Sequence, residues 1–245
     1  MNKYIMGLYL AINVPAIAWA QEIDVPDVPP TDTYELSGHY GMGSLDLWRS
    51  GKTLEGAIFN INAVSERGNV CELTGKIHNN RSILKVYDQS SCEINFSEDS
   101  ARIRVANVTS EACSNFCGSG AYFDGDYLKL PSECSQEAKK ATDQLFLKQY
   151  QSKRYTQAIA TLSKMWQTCE PTMHWLDEMK IRNNLAIAYA KSGDKAQCLK
   201  VLQPYQKEIQ SKNPLELRDP PVSYLFIEDY QAQLKNARYN WKMCQ

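Results

Sequence analysis

Cys113 and Cys117 run directly into Gly118, Gly120 and Gly125, with Tyr122, Phe123 and Tyr127 interleaved. Glycines permit backbone angles that other residues avoid, and aromatic rings offer large, stiff contact surfaces. A cross-linked turn of this composition presents Ser119, Tyr122, Asp124 and Asp126 as a platform for recognition. Catalysis has weaker support in the same residues. Ser119, His39 and Asp124 could be written as nucleophile, base and orienting acid, but no Gly-x-Ser-x-Gly elbow surrounds the serine. Asp124 and Asp126 resemble an acid–base pair, yet Asp-Gly-Asp is more simply a turn bonded to its own backbone. A phosphate loop and a dinucleotide fingerprint are both missing. Zinc needs about four ligands, and His39, His78 and His174 are isolated from one another and from the Cys113/Cys117 pair. The expectation is a binding protein, not an enzyme, with no metal or cofactor.

Two kinds of element must carry this stretch. From Tyr34 to Leu130, short apolar-alternating runs fall between turn residues, at 44–48, 54–64, 70–77, 82–87, 92–96 and 101–108. Such spacing predicts an antiparallel β-sandwich or barrel over 34–131. Alternation should aim Arg102 and Arg104 outward together. Tyr40, Trp48 and Tyr87 read as core or sheet-face aromatics. At Pro131 the pattern changes, Ser132 or Ser135 offers a helix cap, and helical periodicity fills 132–245. The fold class is therefore α+β in two domains.

The first twenty residues read as an export signal: Lys3, an apolar run from Tyr4 to Ile17, and a small-x-small site at Ala18-Trp19-Ala20. The run is shorter than the ~18–20 residues a membrane span needs. Cleavage would leave a released periplasmic or secreted protein beginning at Gln21, with a Pro- and Asp-rich lead-in over 21–33 expected to lack structure. Without Lys3 the net charge is −2, which hides a split. Residues 21–135 hold 9 basic and 17 acidic side chains, net −8, whereas 136–245 hold 17 and 11, net +6. An acidic first half argues against nucleic acid and favours a cationic partner.

All eight cysteines, 71, 92, 113, 117, 134, 169, 198 and 244, lie in the mature part. An even number suits an oxidising compartment. Strand order suggests Cys71–Cys92, and proximity suggests Cys113–Cys117. In an antiparallel helix pair the start of the first helix lies beside the end of the second, which predicts Cys134–Cys169 and Cys198–Cys244. No bridge is expected to cross between the domains.

The helical half repeats itself. Leu145, Ala158 and Leu162 recur as Leu185, Cys198 and Leu202, each 40 residues on. With Leu185-Ala186, Tyr189 and Gly193-Asp194 at packing positions, it resembles the tetratricopeptide repeat, whose period is about 34. The extra residues fall around Cys169–His174, and 220–243 would form a closing helix. The β half carries Ser37-Gly-x-Tyr40, Cys71-Glu-Leu-x-Gly75, Cys92-x-Ile-x-Phe96, Ala112-Cys-x-x-x-Cys-Gly118 and Phe123-Asp-Gly-x-Tyr127. In this order they resemble exported proteobacterial proteins of the lysozyme-inhibitor-like kind. Inhibitors of that kind insert a Ser-Gly-x-x-Tyr loop into the enzyme's cleft. Ser119-Gly120-Ala121-Tyr122 and Ser37-Gly38-His39-Tyr40 are each one residue shorter.

The resemblance implies inhibition of a muramidase or other wall hydrolase, as a lysozyme inhibitor or immunity protein. Ser119 would bond a catalytic carboxylate, Tyr122 would fill a sugar subsite, and Asp124 would meet a basic rim residue. The alternative is an envelope adaptor that grips a protein partner through its helical repeat.

Overall fold

The computed structural model describes residues 23–36, 42–65, 67–86, 90–219 and 221–245. The expected signal, Ser37-Gly38-His39-Tyr40 and Tyr87 lie outside them. Eight antiparallel strands follow one another as β1 (Asp32–Leu36), β2 (Met42–Trp48), β3 (Ile58–Val64), β4 (Val70–Lys76), β5 (Arg81–Lys85), β6 (Ser91–Glu98), β7 (Arg102–Asn107) and β8 (Gly125–Lys129). Their order in the sheet is β4-β3-β2-β1-β8-β7-β6-β5, a meander in which β8 returns to pair with β1. Two strands were not foreseen. β1 begins inside the lead-in that was expected to lack structure, and β8 takes up the end of the glycine-rich stretch. Residue 54 does not open β3, because Leu54 and Ala57 are buried in the turn before it.

Alternation explains the curl. Leu45 and Leu47 of β2, Phe59 and Ile61 of β3, Ile94 and Phe96 of β6, and Ile103 and Val105 of β7 all face one interior. Rolling the sheet buries this row from both sides. The outer face is polar, with Asn62 donating to Asn60 at 2.8 Å and Asn60 donating to Thr74 at 2.9 Å.

The barrel stays unzipped between β4 and β5. A two-residue turn joins them, with His78 and Arg81 exchanging backbone bonds at 2.8 and 3.0 Å. Asn79 and Asn80 take φ of 52° and 59°, the left-handed pair that matches strand twist. Beyond this turn Leu84 of β5 leans onto Gly75 of β4. A Cβ at Gly75 would sit 2.8 Å from Leu84 and 2.7 Å from Phe59, so only glycine lets the two edges approach.

At the other end of the gap a strap closes it. Residues 109–118 contain α1 (Ser110–Cys113) and a 3-10 turn (Ser114–Phe116). Thr109 Oγ1 accepts from the Glu93 amide at 2.7 Å, which fixes one end to β6. Gly118 N–H donates to Val70 at 2.8 Å, which fixes the other end to β4. Two disulfides rivet the strap, Cys92–Cys113 and Cys71–Cys117. This corrects the expected pairing of Cys71 with Cys92 and of Cys113 with Cys117. β4 borders the gap on one side and β6 lies behind β5 on the other, so each bonds to the strap and not to the other.

The second half is helical: α2 (Gln136–Gln151), α3 (Tyr155–Cys169), α4 (Trp175–Ser192), α5 (Lys195–Leu202), α6 (Gln206–Gln210) and α7 (Ile227–Cys244). Ser135 caps α2 through the Ala138 amide, and Asp194 caps α5 through that of Gln197. Gly193, at φ 87°, ends α4 in the left-handed conformation that glycine takes without strain. α2/α3 and α4/α5 form hairpins, and α7 packs on α4 and α5. Disulfides join Cys134 to Cys169 and Cys198 to Cys244, the pairs that helix-end geometry requires. Arg218 pins the segment before α7, its guanidinium 4.2 Å from the Trp175 ring centre and 5.3 Å from that of Tyr230. Glu208, buried beside it, pairs with it at 3.1 Å.

Separate buried clusters serve the barrel and the helices. They meet along β1, where Glu35 faces Lys139, and at Gly68, where a Cβ would sit 2.5 Å from Leu225. Among the described residues, no helix is long and apolar enough to cross a membrane.

Candidate functional site

The strapped end of the barrel gathers Ser65, residues 67–69 and the loop 109–124. Within them Gly118, Ser119, Gly120 and Ala121 form a turn closed by Ala121 N–H to Gly118 at 3.0 Å. Gly120 takes φ 75°, the value a type II turn needs at its third residue. A Cβ on Gly118 would lie 2.9 Å from that of Asn69, and Asn69 donates to the Ser119 carbonyl at 2.6 Å. The turn is thus clamped to β4 by a disulfide, a backbone bond and an asparagine.

Phe123 anchors the far side. Its ring is buried among the barrel residues, and its carbonyl accepts from the buried Tyr127 hydroxyl at 2.6 Å. Burial pushes the Tyr127 phenol up, and nearby Asp124 and Tyr122 add to the effect. With Phe123 turned inward, its neighbours turn outward. Tyr122 is 50% exposed, and Ser119 and Asp124 are exposed. Tyr122 is therefore a surface side chain and not part of the barrel interior.

Asp126 does not join them. In β8 it stands on the outer face opposite Arg104, whose Nε donates to it at 2.7 Å, while Arg102 Nη1 donates at 2.8 Å. The Arg104 guanidinium, with Arg102, holds its carboxyl below the usual carboxylate range. Arg102 and Arg104 point outward together, as alternation requires, and that is why Asp126 is occupied. The strand that ends the glycine-rich stretch removes Asp126 from the platform.

Of the other groups considered for chemistry, Cys113 and Cys117 are both spent in disulfides. His78 pairs with Glu55 at 2.9 Å at the opposite barrel end, and His39 lies outside the described residues. Among the described residues, no three His, Cys, Asp or Glu side chains are placed to share a metal.

Sequence reasoning missed two contributors. Val70 is 46% exposed beside Gly118, and Tyr224, 71% exposed, adjoins Gly68 with Leu225. A tyrosine–leucine pair in a loop was the available signal, but only folding brings it to the barrel.

A second concavity, of about 540 Å3, lies between β1 and the helices. Burial raises the Glu35 carboxyl, which Lys139 partly offsets. Most of the other charges answer each other, Lys180 with Asp143 at 2.6 Å and Lys139 with Asp177 at 3.7 Å, and Lys140 is exposed at the edge. Such pairing suits a seam between two halves better than a reacting centre. No family model matches the chain, and no curated protein and no solved structure is significantly similar to it.

Proposed function

We propose that this chain is an exported, non-enzymatic binding protein of the periplasm that blocks a peptidoglycan-cleaving enzyme with its 118–124 turn. The observation that carries the reading is Tyr122, held half exposed between Ser119 and Asp124 on a turn that Cys71–Cys117 and Asn69 clamp from one side and Phe123 from the other. A clamped aromatic loses little entropy on docking, and tyrosines at the centre of an interface commonly anchor it. Tyr122 suits a sugar subsite, Ser119 a catalytic carboxylate, and Asp124 a basic rim. The acidic barrel half, net −8, steers a cationic target towards them.

The experiment is inhibition by the mature chain of chicken-, goose- and invertebrate-type lysozymes and of bacterial wall hydrolases. Tyr122→Ala should weaken inhibition by ~2 kcal/mol, roughly thirtyfold, without lowering the melting temperature. Asp124→Ala should slow association and flatten its salt dependence. Asp126→Ala, which alters only the Arg102/Arg104 pairing, should leave inhibition unchanged. A panel left fully active removes this reading.

One observation favours an adaptor instead. Between the tetratricopeptide-like hairpins runs a groove of about 410 Å3, lined by Trp166, Tyr189, Gln197 and Lys200. The Trp166 ring lies in it with the Arg182 guanidinium 4.2 Å from its centre, a face on which a peptide side chain could pack. Capture of a periplasmic protein that Trp166→Phe abolishes and Tyr122→Ala spares would favour the adaptor.

A further inference from the structure

Segment 211–219 lies against α7 and leaves a groove of about 710 Å3. Its floor is apolar, built from buried Leu234 and Tyr230, with Tyr239 60% exposed at the wall. Its rims carry Lys212, Lys235 and Lys242, all exposed, against one carboxylate, Glu216. Arg238 also lines it but is committed, donating to the carbonyls of Ile209 at 3.1 Å and Ser211 at 2.6 Å. None of the three lysine side chains has a hydrogen bond or ion pair among the described residues.

Lys235 and Lys242 are two turns apart on one helix, about 10.5 Å along its axis. Carboxylates three residues apart on an extended chain are spaced about 9–10 Å. The fitting ligand is an acidic extended segment with an apolar side chain between its acids. This protein displays such a segment in Asp24-Val25-Pro26-Asp27-Val28. The Trp48 indole N–H holds the Val28 carbonyl at 2.7 Å, so the segment is fixed to the barrel at one end. Asp24 and Asp27 are exposed without ion-pair partners among the described residues, and Val25 and Val28 are 42% and 61% exposed.

We infer that the groove between α7 and residues 212–216 is a docking site for the acidic lead-in of a second copy of this chain. Asp24 and Asp27 pair with Lys235 and Lys242, and Val25 covers Leu215 and Tyr239. The contact is head-to-tail, so it propagates unless the rotation closes a ring. Being small and charged at its rim, it is weak and salt-sensitive.

The test is sedimentation velocity of the mature chain over a concentration series at low ionic strength. Association should grow with concentration and be suppressed at about 0.5 M salt, where the screening length is roughly 4 Å. Lys235→Glu with Lys242→Glu should weaken it at least about tenfold, as should Asp24→Lys with Asp27→Lys, because each sets like charges against one another. Mixing the two reversed proteins should restore association, since each groove then meets an oppositely charged lead-in. Unchanged melting temperatures certify the variants. Where reversal disturbs folding, Lys235→Gln with Lys242→Gln gives the same readout. A chain that stays monomeric up to roughly 1 mM overturns the inference. So does association that ignores the reversals, or a mixture that fails to recover it.

Discussion

Replacing Cys71 and Cys117 with alanine frees one end of the strap that closes the barrel. The magnitude follows from how the two loops nest. Cys71–Cys117 spans 46 residues and Cys92–Cys113 spans 21 within it. With the inner bond intact, the covalent path between residues 71 and 117 shortens to roughly 26 residues, for which loop-closure entropy gives about 3.5 kcal/mol. A bond closing only residues 113 to 117 would contribute about 2 kcal/mol by the same relation. For a barrel of this size, 3.5 kcal/mol lowers the melting temperature by roughly 15–25 °C. Differential scanning calorimetry reads the loss, and hydrogen exchange localises it. Peptides from β4 and from residues 109–124 should lose protection while α4 and α7 keep theirs. Inhibition or partner binding should fall as well, because the Tyr122 turn loses a clamp. A loss below about 1 kcal/mol, or non-reducing peptides that join Cys71 to Cys92, refutes the reasoning.

Two further predictions rest on buried charge. Because the folded pKa of Glu35 lies above its unfolded value, its contribution to stability is present at low pH and is lost as pH rises through the folded pKa. Glu35→Gln should therefore raise the melting temperature near neutrality relative to wild type and not at pH 3; an equal change at both pH values contradicts this. Arg218→Ala should cost about 3 kcal/mol, since it strips Glu208 of its partner and empties the space over Trp175. Faster hydrogen exchange over 211–219 is the readout, and unaltered exchange there would refute the pinning role of Arg218.

The sequence alone determined whatever depends on neighbouring residues. Alternation placed Arg102 and Arg104 outward together. Helical periodicity, Ser135 and Gly193-Asp194 marked the bundle. Cys134–Cys169 and Cys198–Cys244 were legible because each joins helices related by local antiparallel packing. The barrel disulfides were not, since which strands flank the gap depends on β8 returning to β1, a pairing across some 90 residues that no local pattern encodes. The same closure decided the site. Ser119, Tyr122 and Asp124 were readable as a turn, but Asp126 left it once β8 set that side chain opposite Arg104. Tyr224 and Leu225 came to the barrel end only by the packing of the helical half on Gly68. Local stereochemistry fixes which way a side chain points within its element, and only long-range packing decides what it then faces.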